Sequence, residues 1–131
     1  MIKKTVTYTD YNGTERTEDF YFHLNKAELA EMQWSVSGGL EQRVRKIIAT
    51  KDVPELIKIF KELVLKSYGE KSEDGRRFIK SEQIATEFSQ TEAYSIIFME
   101  LAQNAEEAAK FVNGIIPSNL GAEANNVNLQ K

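Results

Sequence analysis

The stretch IKKTVTYTDYNGTERTEDFYFHL, residues 2–24, decides the fold. Its apolar residues Ile2, Val6, Tyr8, Phe20, Phe22 and Leu24 all fall at even positions, and Thr5, Thr7, Thr9 and Thr17 line the odd face. A period of two describes a β-hairpin with one buried face. The turn sets its register. A two-residue loop at Asn12-Gly13 would pair position 11 with 14 and throw the two apolar sets onto opposite faces. A three-residue loop over 11–13 sets Ile2 opposite Phe22 and keeps the apolar face whole. It also gives Asp10 the first place of a type I turn and Gly13 the left-handed bulge position. The spacing therefore predicts the bulged hairpin. Two strands alone are marginal in water, and both edges stay open unless helices cover them or another chain adds a strand. The hairpin is thus a candidate assembly element.

After Leu24 the apolar period lengthens to that of helices. Asn25 is placed as an N-cap with Glu28 as its capping-box partner, and Leu24 and Leu29 flank them as a hydrophobic staple. This predicts a helix over 24–36 with Leu29, Met32 and Val36 inward, ended by Gly38-Gly39. A second helix carries Leu40, Val44, Ile47 and Ile48 on one face and the Glu41–Arg45 pair on another. Asp52 and Pro54 start a third, running to Tyr68 with Gly69 as its stop and Leu56, Ile57, Phe60, Leu63 and Val64 inward. Residues 70–80 read as a charged loop with an Asp74-Gly75 turn, from which Phe78-Ile79 return to the core. A short helix over 82–88 follows. Ser89 with Glu92 and Asn104 with Glu107 read as further capping boxes, opening helices that end at Gln103 and near Gly114 and Pro117. The expectation is an α+β fold: an N-terminal β-hairpin (2–24) packed on a mostly α-helical domain of about five helices (25–117), one globular domain over 1–120. Residues 121–131 lack aromatics and read as a flexible C-terminal tail whose removal is expected to leave the melting temperature unchanged.

Composition narrows the function classes. A chain of 131 residues is long enough to bury one core without staples. With no cysteine, it has no disulfide framework, thiol nucleophile or cysteine zinc site. No apolar run approaches the ~20 residues of a membrane span, and no apolar h-region follows the first lysines. A net charge of −3 speaks against non-specific nucleic-acid binding. The charge is uneven. Positions 40–66 hold seven basic residues against four acidic ones, and positions 82–110 hold six acidic residues against Lys110. Such a division describes either two helix faces attracting each other within one molecule or complementary surfaces on neighbouring subunits.

No constellation carries catalysis. His23 is the only histidine and has no identifiable acid–base partner in the sequence. Glu70, Glu73 and Asp74 lack EF-hand spacing, and Gly38-Gly39 stands in no phosphate-binding pattern. The expectation is no enzyme, no metal and no cofactor. Arg76-Arg77, with Lys71 and Lys80, form a basic loop that is either solvated or in contact with a protein, since the acidic residues beside them repel nucleic acid. A helix-turn-helix through Gly38-Gly39 lacks well-placed base-reading side chains. The apolar surplus is more informative. In the helix from Thr91 to Gln103, Tyr94, Ile97, Phe98 and Leu101 make one stripe, while Ile96 and Met99 lie on the other half of the wheel. Leu65 is similarly off-stripe. Residues so placed belong either to a helix wedged between layers or to a surface that a partner covers. Leu65, Ile96, Met99, Arg76 and Arg77 are therefore the candidate protein-binding residues.

The run KSYGEKSEDGRRFIKS at 66–81, followed by FSQTEAYS at 88–95, resembles the small tail assembly chaperones of long non-contractile-tailed phages and prophages of Gram-positive bacteria. The likeness begins at KKTVTYTDYNGTERTEDFYF and reaches NGIIPSNL, so it covers nearly the whole chain. It implies a protein that binds the helical tape-measure protein, helps recruit tail-tube subunits and acts in the host bacterial cytoplasm, with self-association as a further option. The charge and the short apolar runs already lead to the expectation of no nucleic-acid or membrane partner. A structural virion or head–tail joining protein is the alternative.

Overall fold

The computed structural model of the chain describes residues 1–31 and 53–116, with Lys46 and Ala49 between them. Strands β1 (Ile2–Thr9) and β2 (Glu15–Phe22) pair antiparallel in the expected register, Ile2 with Phe22 and Thr9 with Glu15. The turn supplies the reason. Asp10 N–H donates to the Thr14 carbonyl at 2.8 Å, and Gly13 N–H to the Asp10 carbonyl at 2.9 Å. Asp10 Oδ1 accepts from the N–H groups of Asn12 and Thr14, each at 2.9 Å. Gly13 takes φ +83°, a conformation that a side chain disfavours. Arg16 Nε closes on Asp10 Oδ2 at 2.6 Å, and with the turn's N–H groups it holds the Asp10 carboxyl below its ordinary range. Across the odd face, the Thr7 and Thr17 hydroxyls bond at 2.9 Å.

The hairpin is half of a larger sheet. β3 (Tyr68–Lys71) pairs with β2, and β4 (Phe78–Ile79) with β3, giving four antiparallel strands in the order β1-β2-β3-β4. The expected charged loop thus contains strand residues, and β3 pairs with the end of β2 at Tyr21 and Phe22. Gly69 is not a helix stop. It lies in β3 because the Phe78 ring and the Ile79 carbonyl pass so close that a Cβ there would stand 2.8 and 2.9 Å from them.

Besides the helical Lys46 and Ala49, the described residues form five helices that pack with this sheet: α1 (Lys26–Glu31), α2 (Val53–Ser67), α3 (Glu82–Ser89), α4 (Glu92–Gln103) and α5 (Ala105–Ile115). The α1 capping box forms as read. Glu28 N–H donates to Asn25 Oδ1 at 2.8 Å, and Asn25 N–H to Glu28 Oε1 at 2.9 Å; both staple leucines, Leu24 and Leu29, are buried. α2 ends on Ser67, whose buried hydroxyl donates to the Leu63 and Val64 carbonyls, while His23 N–H takes the Ser67 carbonyl at 2.8 Å. The chain passes from helix to strand with its backbone groups satisfied and needs no glycine stop. The inward stripe of α2 is Ile59, Phe60, Leu63, Val64 and Ser67, and Ile57, expected inward, is exposed. α4 is capped by Thr91, which accepts from Tyr94 N–H at 3.1 Å; Ser89 instead donates to the Thr86 carbonyl. α5 is capped by Asn104, as read. Gly114 lies within α5 and receives the Ile2 side chain.

The core joins Val6, Phe20 and Phe22 of the sheet to the buried faces of α2, α4 and α5. Aromatic rings knit the layers. Tyr68 stacks on Phe88 at 4.0 Å, and Phe22 meets both Phe88 and Phe111 edge-on at 5.8 and 5.4 Å. Each such pair contributes about 0.5–1.5 kcal/mol beyond the area it buries. Burial, with Glu70 nearby, pushes the Tyr68 hydroxyl up to about 12. The inward assignments of Met32 and Val36, the Gly38-Gly39 stop, the second helix apart from Lys46 and Ala49, the Asp52 start, the Pro117 end and the tail over 121–131 lie outside the described residues.

Candidate functional site

The sequence points to protein contact rather than to a reaction centre, so the relevant geometry is what the helices and the β3–β4 turn present outward. α4 buries Ala93, Ile97 and Leu101, spaced four residues apart, against the core. Tyr94 meets Phe88 of α3 edge-on at 5.6 Å, and Phe98 lies beside Tyr94 at 5.9 Å. On the remaining side Ile96 is 38% and Met99 44% exposed. They are three residues apart and so share one helix face, with Glu92 and Glu100 one turn either side of Ile96. The helix is therefore not wedged between layers. Leu65 is half-buried and packs against the core, so it is less open than the α4 pair. Ile57, which sequence periodicity assigned inward, is 44% exposed on the outer side of α2.

The second candidate element is the β3–β4 turn. Asp74 Oδ1 accepts from the Ser72 hydroxyl at 2.7 Å and from Arg76 N–H at 3.0 Å, and Arg77 N–H donates to Ser72 Oγ at 3.0 Å. These bonds hold the Asp74 carboxyl below its ordinary range, the Ser72 hydroxyl first among the causes. Gly75, at φ +74°, closes the turn. Arg76 and Arg77 are thus carried by a fixed turn and are exposed. The four expected cations do not act together. Lys71 stands over the Tyr21 ring at 4.2 Å. Lys80 is half-buried and reaches Glu28 Oε2 at 2.6 Å and the His23 carbonyl at 2.5 Å, binding β4 to the start of α1. Burial draws the Lys80 ammonium below its ordinary value, and Glu28 offsets only part of that.

His23 is structural. Its ring meets Phe78 edge-on, and Nδ1 is buried without a hydrogen-bond partner among the described residues. Burial first, then the N-terminal charge and Lys80, lower its pKa. A feature missed in the sequence is Lys4. It lies on the even, apolar face, and its ammonium reaches Glu100 of α4 at 2.7 Å and Glu107 of α5 at 3.8 Å. The signal was available: Lys4 interrupts the even series between Ile2 and Val6, and an inward charge demands a partner.

Among the described residues, no three His, Asp or Glu side chains gather in a metal-holding group, and no helix is long and apolar enough to cross a membrane. What the structure offers is surface: an apolar pair on α4 with acidic neighbours, and two arginines on a stiff turn. Neither the curated proteins nor the solved structures gave a match to the chain. The family model described as "Phage tail assembly chaperone" matches residues 1–130, nearly the full length, and by that match the chain belongs to the phage tail assembly chaperone family.

Proposed function

We propose that this tail assembly chaperone holds helices of the tape-measure protein on the outer face of α4 and helps recruit tail-tube subunits to them, in the host bacterial cytoplasm. The observation that carries the reading is the exposure of Ile96 and Met99 on a helix whose opposite side is core. An apolar pair of this kind is worth about 1.5–3 kcal/mol per side chain when fully covered, before the costs of association. Methionine adds a side chain that adapts to varied partner shapes. Leu65 contributes from the half-buried side of α2. Arg76 and Arg77 offer bidentate donors to carboxylates of a client or a tail-tube subunit. Holding of this kind is passive and needs no chemical step.

The test is co-expression with the tape-measure protein of the same phage. Ile96→Ser and Met99→Ser together are expected to leave the isolated protein folded, with a stability change within about 0.5 kcal/mol, and to abolish co-purification. Retained co-purification, or unfolding of the isolated variant, overturns the reading. Stoichiometric recovery of the protein from purified virions would instead support a structural or head–tail joining role.

A further inference from the structure

β2 has a strand on its outer side only at its end. Tyr21 and Phe22 meet Gly69 and Tyr68 of β3, and His23 N–H takes the Ser67 carbonyl. Beyond Gly69, β3 turns to β4 instead, pairing Glu70 with Ile79 and Lys71 with Phe78. The sheet forks there, and the outer edge of β2 over 15–20 has no strand beside it among the described residues. The hairpin turn fixes which backbone groups face that gap. Asp10 N–H bonds the Thr14 carbonyl, so the hydrogen-bonded pairs with β1 fall at even positions. The odd positions turn their backbone groups outward, as Tyr21 and His23 do toward β3. Glu15, Thr17 and Asp19 continue that row, and their backbone groups have no hydrogen-bond partner among the described residues.

The side chains of these three residues are exposed on one face of the sheet. Asp19 accepts the Thr5 hydroxyl at 2.6 Å, but neither Glu15 nor Asp19 makes an ion pair with a described residue. Glu18, on the opposite face, is engaged by Tyr8 and Arg16. The open row is thus flanked by two carboxylates that lack a counter-charge. A second copy of the same edge is refused, because it would bring acidic residues against Glu15 and Asp19. A strand with cations on that face is what the edge accepts.

We infer that the open edge of β2 takes an added strand: an extended segment of a partner protein with lysine or arginine facing Glu15 and Asp19. Backbone bonds to Glu15, Thr17 and Asp19 hold the segment, and the two carboxylates select it. The site needs no part of the α4 reading, since α4 offers apolar side chains to a helix and β2 offers a ladder to a strand. The ladder is short, so the contact is weak and reversible, and its charges make it sensitive to salt.

The test is titration of the full chain, at roughly 50 mM salt, with a blocked peptide of alternating lysine and threonine roughly seven residues long. Binding is expected to slow amide exchange at Glu15, Thr17 and Asp19 by about fivefold or more. The outward amides of β1 at Lys3, Thr5 and Thr7 are expected to stay unchanged, since that edge offers the peptide a lysine and no carboxylate. Replacing the peptide's threonines by proline keeps its charge and removes its ladder, and is expected to weaken binding about tenfold or more. Glu15→Lys with Asp19→Lys is expected to lose about tenfold in affinity for the lysine peptide and to bind a glutamate–threonine peptide instead. Ile96→Ser with Met99→Ser is expected to bind the lysine peptide as the wild type does. No binding, equal binding by the proline peptide, or slowed exchange along β1 overturns the inference. So does loss of binding in the α4 variant, which would put the peptide on that helix. The proline comparison decides the matter even where the lysine variant fails to fold.

Discussion

Ile2, in the first strand, rests on Gly114, in the last helix: a Cβ at position 114 would lie 2.3 Å from Ile2 Cδ1 and Cγ1. The two ends of the described fold are fitted at a position where only a missing side chain leaves room. Alanine normally favours a helix interior over glycine by about 1 kcal/mol. Here that gain is opposed by an overlap costing about 1–3 kcal/mol. Gly114→Ala is expected to lower stability by about 1 kcal/mol in the wild type and to raise it by a similar amount in an Ile2→Ala background. Urea unfolding of the four proteins measures the coupling; equal effects in both backgrounds would dissolve the contact.

A harsher outcome is expected at Gly69, where the neighbour on one side is the Ile79 carbonyl at 2.9 Å, a backbone atom that cannot rotate away. Gly69→Ala is expected to cost about 2 kcal/mol or more and to loosen β4 from β3. Amide exchange at Phe78 and Ile79 should accelerate more than exchange in β1. Uniform acceleration would show that the sheet opens as one unit.

Glu28 serves two groups at once, accepting from Asn25 N–H through Oε1 and from Lys80 through Oε2. Glu28→Gln keeps an acceptor for the cap but leaves the half-buried Lys80 ammonium without its counter-charge. A loss of about 1–2 kcal/mol is expected. Lys80→Met removes the cation along with its need and should cost less. Thermal melts of both variants rank them, and the opposite order would refute a stranded-charge account.

The His23 pKa is lowered in the folded state, chiefly by burial. A lowered pKa means the neutral form is favoured on folding. Stability is therefore fully present above the ordinary value of 6.5 and falls as pH drops through the lower, folded-state pKa. Melting temperature should be flat above 6.5 and decline below it. His23→Phe should remove the decline down to the region below 3.8, where Asp10 begins to lose its own contribution. An unchanged profile in the variant would assign the acid loss to other groups.

The hairpin was fully legible because a half-buried sheet allows only one register. Once the even face is apolar, the three-residue loop follows, and Ile2 must oppose Phe22. The Asn25–Glu28 cap was legible because its signals are local and reciprocal. Gly69 was misread because glycine after an apolar helical run ordinarily ends it, and nothing in sequence shows a phenylalanine nine residues on folding back over it. Ser89 was taken as a cap where Thr91 is one; both types suit the role, and only the path out of α3 chooses between them. Ile57 was read inward and is exposed, because the buried side of α2 is centred on Ile59, Phe60 and Leu63. For the candidate site, Ile96 and Met99 emerge from helical periodicity alone. Arg76 and Arg77 could be placed together in a turn, but Lys80's withdrawal from them depends on Glu28, 52 positions away.

Lys4 has a consequence beyond the two carboxylates it meets. Among the described strands β1 is one end of the sheet, eight residues long, with a row of backbone donors and acceptors turned outward. A strand added there would have to bring its own side chains over an inward-facing ammonium already clamped by Glu100 and Glu107. Inward charges on border strands are one way natural sheets refuse further strands. The border strand thus carries its own guard against further pairing, even while isoleucine and methionine stand exposed on α4.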